Sequence, residues 1–78
     1  MTQEIAEVDA RGLSCPLPLL KAKQALNRLA AGERLRVVAT DAGSVRDFRV
    51  FCEQSGNRLI EASENGGVYT YLLQKRGA

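Results

Sequence analysis

The first third of the chain predicts a strand followed by a helix. Hydrophobic and polar residues alternate loosely from Glu4 to Ala10, which indicates an edge or half-buried β-strand. The loop Arg11–Ser14 follows this strand. Apolar residues then recur at helical spacing and predict a first helix that ends at Gly32. The apolar face of this helix comprises Leu20, Ala22, Leu26, Leu29 and Ala30.

The middle of the chain repeats the pattern of a strand and a helix. Arg34–Thr40 predicts a second strand whose inner face is formed by Leu35, Val37 and Ala39. Ser44 and Asp47 have the spacing of a capping box at the start of a second helix. That helix is predicted to end near Gly56, with a buried stripe of Val45, Phe48 and Cys52.

The last part of the chain predicts a β-hairpin. Asn57–Ser63 and Val68–Gln74 are strand-like, and Asn65-Gly66 between them suits a tight turn. In the resulting order β-α-β-α-β-β, a right-handed crossover makes the first two strands parallel, while the hairpin is antiparallel. The two helices can cover only one face of such a sheet. The sequence therefore predicts a two-layer α/β sandwich with a mixed four-stranded sheet, formed by one domain over residues 1–78.

Composition narrows the possible chemistry. The 78 residues are 45% hydrophobic and 26% charged, which is an ordinary globular balance. Neither a membrane-spanning helix nor a signal peptide is expected, and this predicts a cytoplasmic protein. The absence of histidine excludes Ser-His-Asp and Cys-His sites and imidazole metal sites. Two cysteines are too few for a disulfide framework or a thiolate metal cage, so we expect no cofactor and no metal.

The segment Cys15-Pro16-Leu17-Pro18 is the most informative part of the sequence. Proline is tolerated in the first helical turn, so a helix starting at Pro16 would place Cys15 at the N-cap. Because Pro18 disfavours a helical conformation at the preceding residue, the helix can instead begin at Pro18, with Cys15 in the loop before it. With Cys15 at the N-cap, the positive end of the helix predicts a lowered pKa for its thiol. In both registers, the two prolines stiffen the backbone around the sulfur.

The charges around this segment support the same interpretation. No acidic residue lies between Ala10 and Gly32, and Arg11 and Lys21 are the nearest candidates for stabilising a thiolate at Cys15. Ordinary surface solubility explains these two side chains equally well. Cys52 lies on the predicted buried stripe and is interpreted as a core residue. Asp41 and Asp47 are interpreted as loop and cap residues, with partner docking as the alternative.

The segment from Asp9 to Pro18, with its Cys-Pro-x-Pro motif, resembles the signature of the TusA/SirA/YedF family of small sulfur-carrier proteins. The resemblance continues through Thr40-Asp41, Arg46-Asp47, Phe51-Cys52 and the turn at Gly56 into the final hairpin, so it covers essentially the whole chain. It implies the fold derived above and a persulfide carried on Cys15, with Pro16 and Pro18 shaping its presentation.

The resemblance also implies partners. A cysteine desulfurase or a rhodanese-like protein would donate sulfur, and a downstream DsrE-like protein would accept it. The chain would be a stoichiometric carrier rather than an enzyme, with no direct nucleic-acid or membrane contact. Leu17 replaces the acidic residue typical of the member that serves tRNA thiolation. The pathway therefore stays open among tRNA thiolation, molybdenum-cofactor maturation and sulfur oxidation.

Two other hypotheses involve different chemistry. The first is a small RNA-binding or regulatory module, since the chain has a net charge of +2 and Tyr69 and Tyr71 share one face of the last strand. Such a module would be indifferent to the loss of Cys15. The second is a redox-sensing thiol that reacts with peroxide and not with a persulfide donor.

Overall fold

The sheet of this protein mixes parallel and antiparallel strands. The computed structural model describes residues 5–77. Its elements are β1 (Ala6–Ala10), α1 (Leu17–Leu26), β2 (Arg34–Ala39), α2 (Ser44–Ser55), β3 (Arg58–Asn65) and β4 (Val68–Gln74). The strand order is β1-β2-β4-β3, in which β1 and β2 are parallel and the other two pairs are antiparallel. The predicted two-layer α/β sandwich is confirmed, with β1 at one edge; the predicted start of the first strand, Glu4, lies outside the described residues.

The core lies between the sheet and the two helices. Every second residue of β2 is buried, as predicted, since a strand alternates its side chains between the two faces. The centre of the core is the ring of Phe48 from α2, which stacks on Tyr71 of β4 with 4.5 Å between ring centroids. Ser44, at the start of α2, shares a buried hydrogen bond of 2.7 Å with the Tyr71 hydroxyl. These contacts fix the first turn of α2 against the sheet.

The first helix ends earlier than predicted. It stops at Leu26, and Gly32 lies in a later turn with φ of 86°. The ammonium group of Lys75 donates hydrogen bonds of 2.8 Å to the carbonyl oxygens of Leu26 and Leu29. A distant lysine thus satisfies carbonyl groups at the end of this helix. Leu20 is exposed, and so is Ala30, so the predicted apolar face was wrong at these two positions.

The second helix differs from the prediction at its start. Its N-cap is Gly43, and no side chain caps it, so the predicted capping box is wrong. Ser44 bonds to Tyr71 instead, and the carboxylate of Asp47 contacts Cys15. Val45 is 44% exposed, so the buried stripe consists of Ser44, Phe48 and Cys52. The predicted end at Gly56 is confirmed, where φ is 83°.

The hairpin turn lies one residue later than predicted. β3 extends to Asn65, which pairs with Val68, so Gly66 and Gly67 form the turn. Their φ angles are 59° and 85°, the left-handed conformation that glycine adopts without a steric cost. The register of β3 shifts between Leu59 and Glu61, which indicates a bulge.

Removal of the Tyr71 hydroxyl tests the buried hydrogen bond at the start of α2. We expect Tyr71→Phe to lower the free energy of unfolding by about 1–3 kcal/mol, because the buried Ser44 hydroxyl then loses its partner. Urea denaturation followed by circular dichroism measures this change. Tyr69→Phe, the same change on a half-buried ring of the same strand, is the matched control and should cost less. Equal losses in the two variants would contradict the assignment.

Candidate functional site

The loop that carries Cys15 is attached to the end of β2. Its Gly12 amide donates a hydrogen bond of 2.9 Å to the hydroxyl of Thr40, the residue that follows β2. The Leu13 amide donates to the carbonyl oxygen of Ala10 at the end of β1. Since β1 and β2 are parallel, the loops after both strands emerge at the same edge of the sheet. This edge brings the Cys15 loop beside the segment that leads into α2.

The start of α1 falls between the two predicted registers. The helix begins at Leu17, Pro16 is the N-cap, and Pro18 lies in the first turn. Pro18 is buried, whereas Cys15 and Pro16 are exposed. The Leu17 amide donates a 2.8 Å hydrogen bond to the carbonyl oxygen of Ser14 and is therefore engaged with the backbone. The buried Pro18 ring anchors the segment to the domain and leaves Cys15 at its surface.

The thiol of Cys15 is hydrogen-bonded to a carboxylate of α2. Its Sγ donates to Oδ2 of Asp47 over 2.6 Å. The two segments pack closely at Gly43, where a Cβ atom would lie 3.5 Å from the Cβ of Cys15 and 2.9 Å from Oδ2 of Asp41. The structure therefore joins the Cys15 loop, the loop after β2 and the first turn of α2 in one site.

The charges of this site raise the thiol pKa. The hydrogen bond to Asp47 is the largest cause, followed by loss of solvation and by the charges of Asp47 and Asp41. Each of these effects favours the protonated thiol over the thiolate. The prediction of a lowered pKa for Cys15 is therefore wrong. The nearby carboxylates act against the positive end of α1, and the sequence alone did not place them there.

Arg11 and Lys21, the predicted supporting cations, interact with Asp9 rather than with Cys15. Arg11 forms an ion pair with Asp9 through Nε and Oδ1 at 2.9 Å, and its Nη2 donates to Oδ2 of Asp9. This hydrogen-bonded pair lowers the pKa of Asp9 to about 2, and the charge of Lys21 adds to the effect. Neither Arg11 nor Lys21 is among the described groups that shift the pKa of Cys15. The proposed stabilisation of a thiolate by these two residues therefore has no support in this arrangement.

The sequence does not identify Asp41 and Asp47 as neighbours of Cys15. Asp47 was interpreted as a helix cap, although it lies 32 residues from Cys15 and contacts it directly. One available signal was the parallel pairing of the first two strands, which brings the loops after them to one edge of the sheet. The side-chain contact itself depends on the rotation of α2, which is set by the burial of Phe48 and Ser44.

The second cysteine is part of the core, as predicted. Cys52 is 7% exposed, and burial raises the pKa of its thiol. We therefore expect iodoacetamide to modify Cys15 well before Cys52 in the native protein, in spite of the raised pKa of both thiols. Peptide mapping after a brief reaction measures the order, and unfolded protein, in which both thiols are accessible, is the control. Faster modification of Cys52 in the native state would contradict the burial assigned to it.

The aromatic residues of β4 do not form a platform for RNA bases. Tyr71 is buried beneath α2 and stacks on Phe48, and Tyr69 is half-buried. Base stacking needs aromatic faces that a single strand can reach. Core packing therefore explains the shared face of Tyr69 and Tyr71, one of the two observations behind the RNA-binding hypothesis.

The described part of the chain holds neither a cluster of metal ligands nor a membrane-spanning helix. Over residues 5–77, no group of three or more metal-ligating side chains could hold an ion. No helix in the same range is long and apolar enough to cross a membrane. The distinctive chemistry of this edge of the sheet is a surface thiol that is followed by two prolines in the chain and lies beside two carboxylates.

Comparison with known proteins places this chain in a family. The family model described as Sulfurtransferase TusA matches residues 6–75, a range that includes Cys15 and both carboxylates. The chain belongs to the TusA family. The sulfur carrier protein TusA of Allochromatium vinosum is 52% identical over 69 residues, which cover 88% of this chain and 91% of that protein. The sulfur carrier protein TusA of Pseudomonas putida is 39% identical over 71 residues, covering 91% of this chain and 89% of that protein.

A solved structure confirms the architecture of the TusA family for this chain. The SirA-like protein from Desulfitobacterium hafniense superposes with a TM-score of 0.81 at 27% sequence identity. The match covers 94% of this chain and 100% of that one. Membership of the TusA family and the names of these relatives support a sulfur-carrier role.

Proposed function

We propose that this protein carries sulfur as a persulfide on Cys15. It takes the sulfur from a cysteine desulfurase or a rhodanese-like donor and passes it to a cysteine of an acceptor protein. The observation that carries the proposal is the exposed Cys15 thiol at the proline-flanked start of α1, in a chain of the TusA family. A carrier needs a thiol that two different partners can reach in turn, and a surface position on a small domain supplies it.

The proposed relay consists of two exchange reactions at sulfur. In the first, Sγ of Cys15 attacks the outer sulfur of the donor persulfide, a new S–S bond forms, and the donor S–S bond breaks. The donor cysteine leaves with the electron pair of that bond and takes up the proton that Cys15 releases. In the second, an acceptor cysteine attacks the outer sulfur of the Cys15 persulfide and regenerates the Cys15 thiol. No external oxidant or reductant is consumed in either step.

The supporting residues have separate proposed roles. The buried ring of Pro18 fixes the start of α1, and the exposed ring of Pro16 borders the thiol. Arg11 and Lys21 are proposed to contact acidic surfaces of partners, because both are exposed and lie on the same side of the domain as Asp9. The whole chain, residues 1–78, would act as one stoichiometric carrier domain rather than as an enzyme that turns over a substrate alone.

The surface beside Cys15 bears on partner choice. Leu17 is 46% exposed directly after Pro16, where it meets any protein that docks on the thiol. An apolar side chain at this position favours an acceptor with an apolar contact, and a DsrE-like acceptor is one candidate. The proposed setting is the cytoplasm, without direct contact to nucleic acid or membrane. tRNA thiolation, molybdenum-cofactor maturation and sulfur oxidation are the candidate pathways.

A loading and discharge experiment tests the proposal. The purified protein is incubated with a cysteine desulfurase and cysteine, separated from the donor, and analysed by intact mass spectrometry. The expected product is the protein with one added sulfur atom, which dithiothreitol removes. The loaded protein is then mixed with a DsrE-like acceptor, and the added mass should move to the acceptor. Absence of any added sulfur with both a desulfurase and a rhodanese-like donor would refute the carrier function.

A further inference from the structure

In the part of the chain that the structure describes, two carboxylates lie beside the proposed carrier thiol without an ion-pair partner. Over residues 5–77, the ion pairs join Arg11 to Asp9 and Arg36 to Glu7, and neither involves Asp41 or Asp47. In the same range, Oδ2 of Asp41 is buried and has no hydrogen-bond partner. A buried carboxylate oxygen without a partner is unusual and calls for an explanation in terms of the site around it.

The two carboxylates and the thiol converge on one point. Oδ2 of Asp41 lies 2.9 Å from the position that a Cβ atom on Gly43 would occupy, and Sγ of Cys15 lies 3.8 Å from the same position. Asp47 completes the cluster through its 2.6 Å contact with Sγ. Any group that approaches Sγ therefore enters the field of two negative charges, in a place where the surrounding protein replaces part of the solvent.

We propose that Asp47 is a positioning residue that holds the Cys15 thiol protonated in the free protein, and that a cationic side chain of a sulfur-relay partner releases it. The inference rests on the carrier function proposed above and concerns the regulation of the same site. Asp47 accepts the thiol proton in a hydrogen bond, which orients Sγ and opposes formation of a second negative charge. Asp41 adds to that opposition. Docking of an arginine or a lysine beside the carboxylates offsets their charge, so the thiolate forms in the complex.

The protonated thiol suits the free carrier, and the thiolate suits the carrier in complex with a sulfur-relay partner. A thiolate is the nucleophile in sulfur exchange and also the form that oxidants and electrophiles attack. A free carrier that keeps its proton is protected between encounters. In the complex, Cys15 releases its proton when the thiolate forms. The thiolate then attacks the outer sulfur of the donor persulfide, and the donor cysteine leaves with the electron pair of the broken S–S bond and takes up a proton, so the exchange balances.

The role of Asp47 can be measured from the pH profile of thiol reactivity. We expect Asp47→Asn to shift the iodoacetamide rate profile to lower pH, because the amide keeps the size of the side chain and removes its charge. Each unit of decrease in the thiol pKa raises the thiolate fraction about tenfold well below the pKa, and the weaker nucleophilicity of a more acidic thiol reduces the rate gain to about threefold. Asp47→Glu should restore the high pKa, since it restores the carboxylate.

Glu53→Gln is the matched control for this profile. Glu53 is an exposed carboxylate on the same helix, so the control makes the same change of charge on α2 outside the cluster. Its profile should coincide with that of the unmodified protein. A profile of Asp47→Asn that also coincides with the unmodified protein, or that moves to higher pH, would overturn the proposal. Circular dichroism of each variant establishes that the fold is retained.

The proposed effect of a partner's cation is tested by measuring how fast Cys15 of the unmodified protein exchanges with charged and neutral small disulfides. Cystamine carries a positive charge at each end, and bis(2-hydroxyethyl) disulfide is neutral. Each exchange rate with Cys15 is divided by the rate of the same reagent with a neutral cysteine peptide, which removes intrinsic reactivity. We expect the normalised rate with cystamine to exceed that with the neutral disulfide by about two- to fivefold at low salt. This preference should decrease at high salt and in Asp47→Asn. It should be unchanged in Glu53→Gln.

The outcomes separate the inference from the proposed function. Loading of the unmodified protein with sulfur, together with equal normalised rates for the two disulfides, would overturn the role of the carboxylates and leave the carrier function intact. A cystamine preference in a protein that no donor can load would refute the carrier function and retain the electrostatic site. The disulfide measurement needs no variant, so it remains decisive if Asp47→Asn does not fold.

Discussion

Cys15→Ala is expected to abolish persulfide loading and sulfur delivery while the domain stays folded. Cys15 is exposed, and the described contact of its side chain is the hydrogen bond to Asp47, so little packing is lost. No other exposed thiol exists, because the second cysteine is buried. Intact mass spectrometry after incubation with a cysteine desulfurase and cysteine measures the loss of loading, and circular dichroism measures the fold.

The matched control for this experiment is Cys52→Ala. It removes the other thiol from a buried position, so we expect a modest loss of stability and normal loading. Full loading of Cys15→Ala, or loss of loading in a folded Cys52→Ala protein, would contradict the assignment of Cys15. The pair of variants separates the chemistry of a thiol from the general effect of removing a cysteine.

The largest effect on stability is expected for Phe48→Ala. The Phe48 ring is fully buried and stacks on Tyr71, so its removal leaves a cavity between α2 and the sheet. A change of this kind costs about 3–5 kcal/mol, a large part of the roughly 5–15 kcal/mol that stabilises a typical domain. We expect the variant to be largely unfolded or to unfold at much lower urea concentration, as measured by circular dichroism.

Phe51→Ala is the control for the core argument. Phe51 lies on the same helix but is half-buried, with the ammonium of Lys23 5.4 Å from its ring centroid. Its loss should therefore cost clearly less than the loss of Phe48. A decrease of less than about 1 kcal/mol for Phe48→Ala would show that this ring does not hold α2 to the sheet. The placement of Asp47 against Cys15 depends on that attachment.

The elements of the fold could be predicted because their signals are local. Alternation in β2 and the positive φ at Gly56 both follow from the nearest residues, and the chain order then determines the sheet. The errors occurred where a distant group intervenes. Lys75 satisfies the carbonyl group of Leu26 at the end of α1, and Tyr71 shares a hydrogen bond with the hydroxyl of Ser44 that a capping box would use. Neither partner can be identified from the local sequence.

The candidate site likewise has a part that could be predicted from the sequence and a part that could not. Cys15 and its prolines are adjacent in the chain, so their pattern and its resemblance to a known family could be recognised directly. The electrostatic environment could not, because Asp41 and Asp47 come from a different part of the chain. The positive end of a helix was visible in the sequence, whereas the opposing carboxylates required the packed structure. The predicted direction of the pKa shift at Cys15 was wrong for this reason.

The position of the transferred sulfur tests the central claim most directly. The unmodified protein is loaded by a cysteine desulfurase with cysteine, its free thiols and persulfides are blocked with iodoacetamide, and its peptides are mapped by tandem mass spectrometry. The account predicts one additional sulfur atom on the peptide that contains Cys15 and none on the peptide that contains Cys52. Additional sulfur on Cys52, or on neither peptide of a protein that still delivers sulfur to an acceptor, would contradict it.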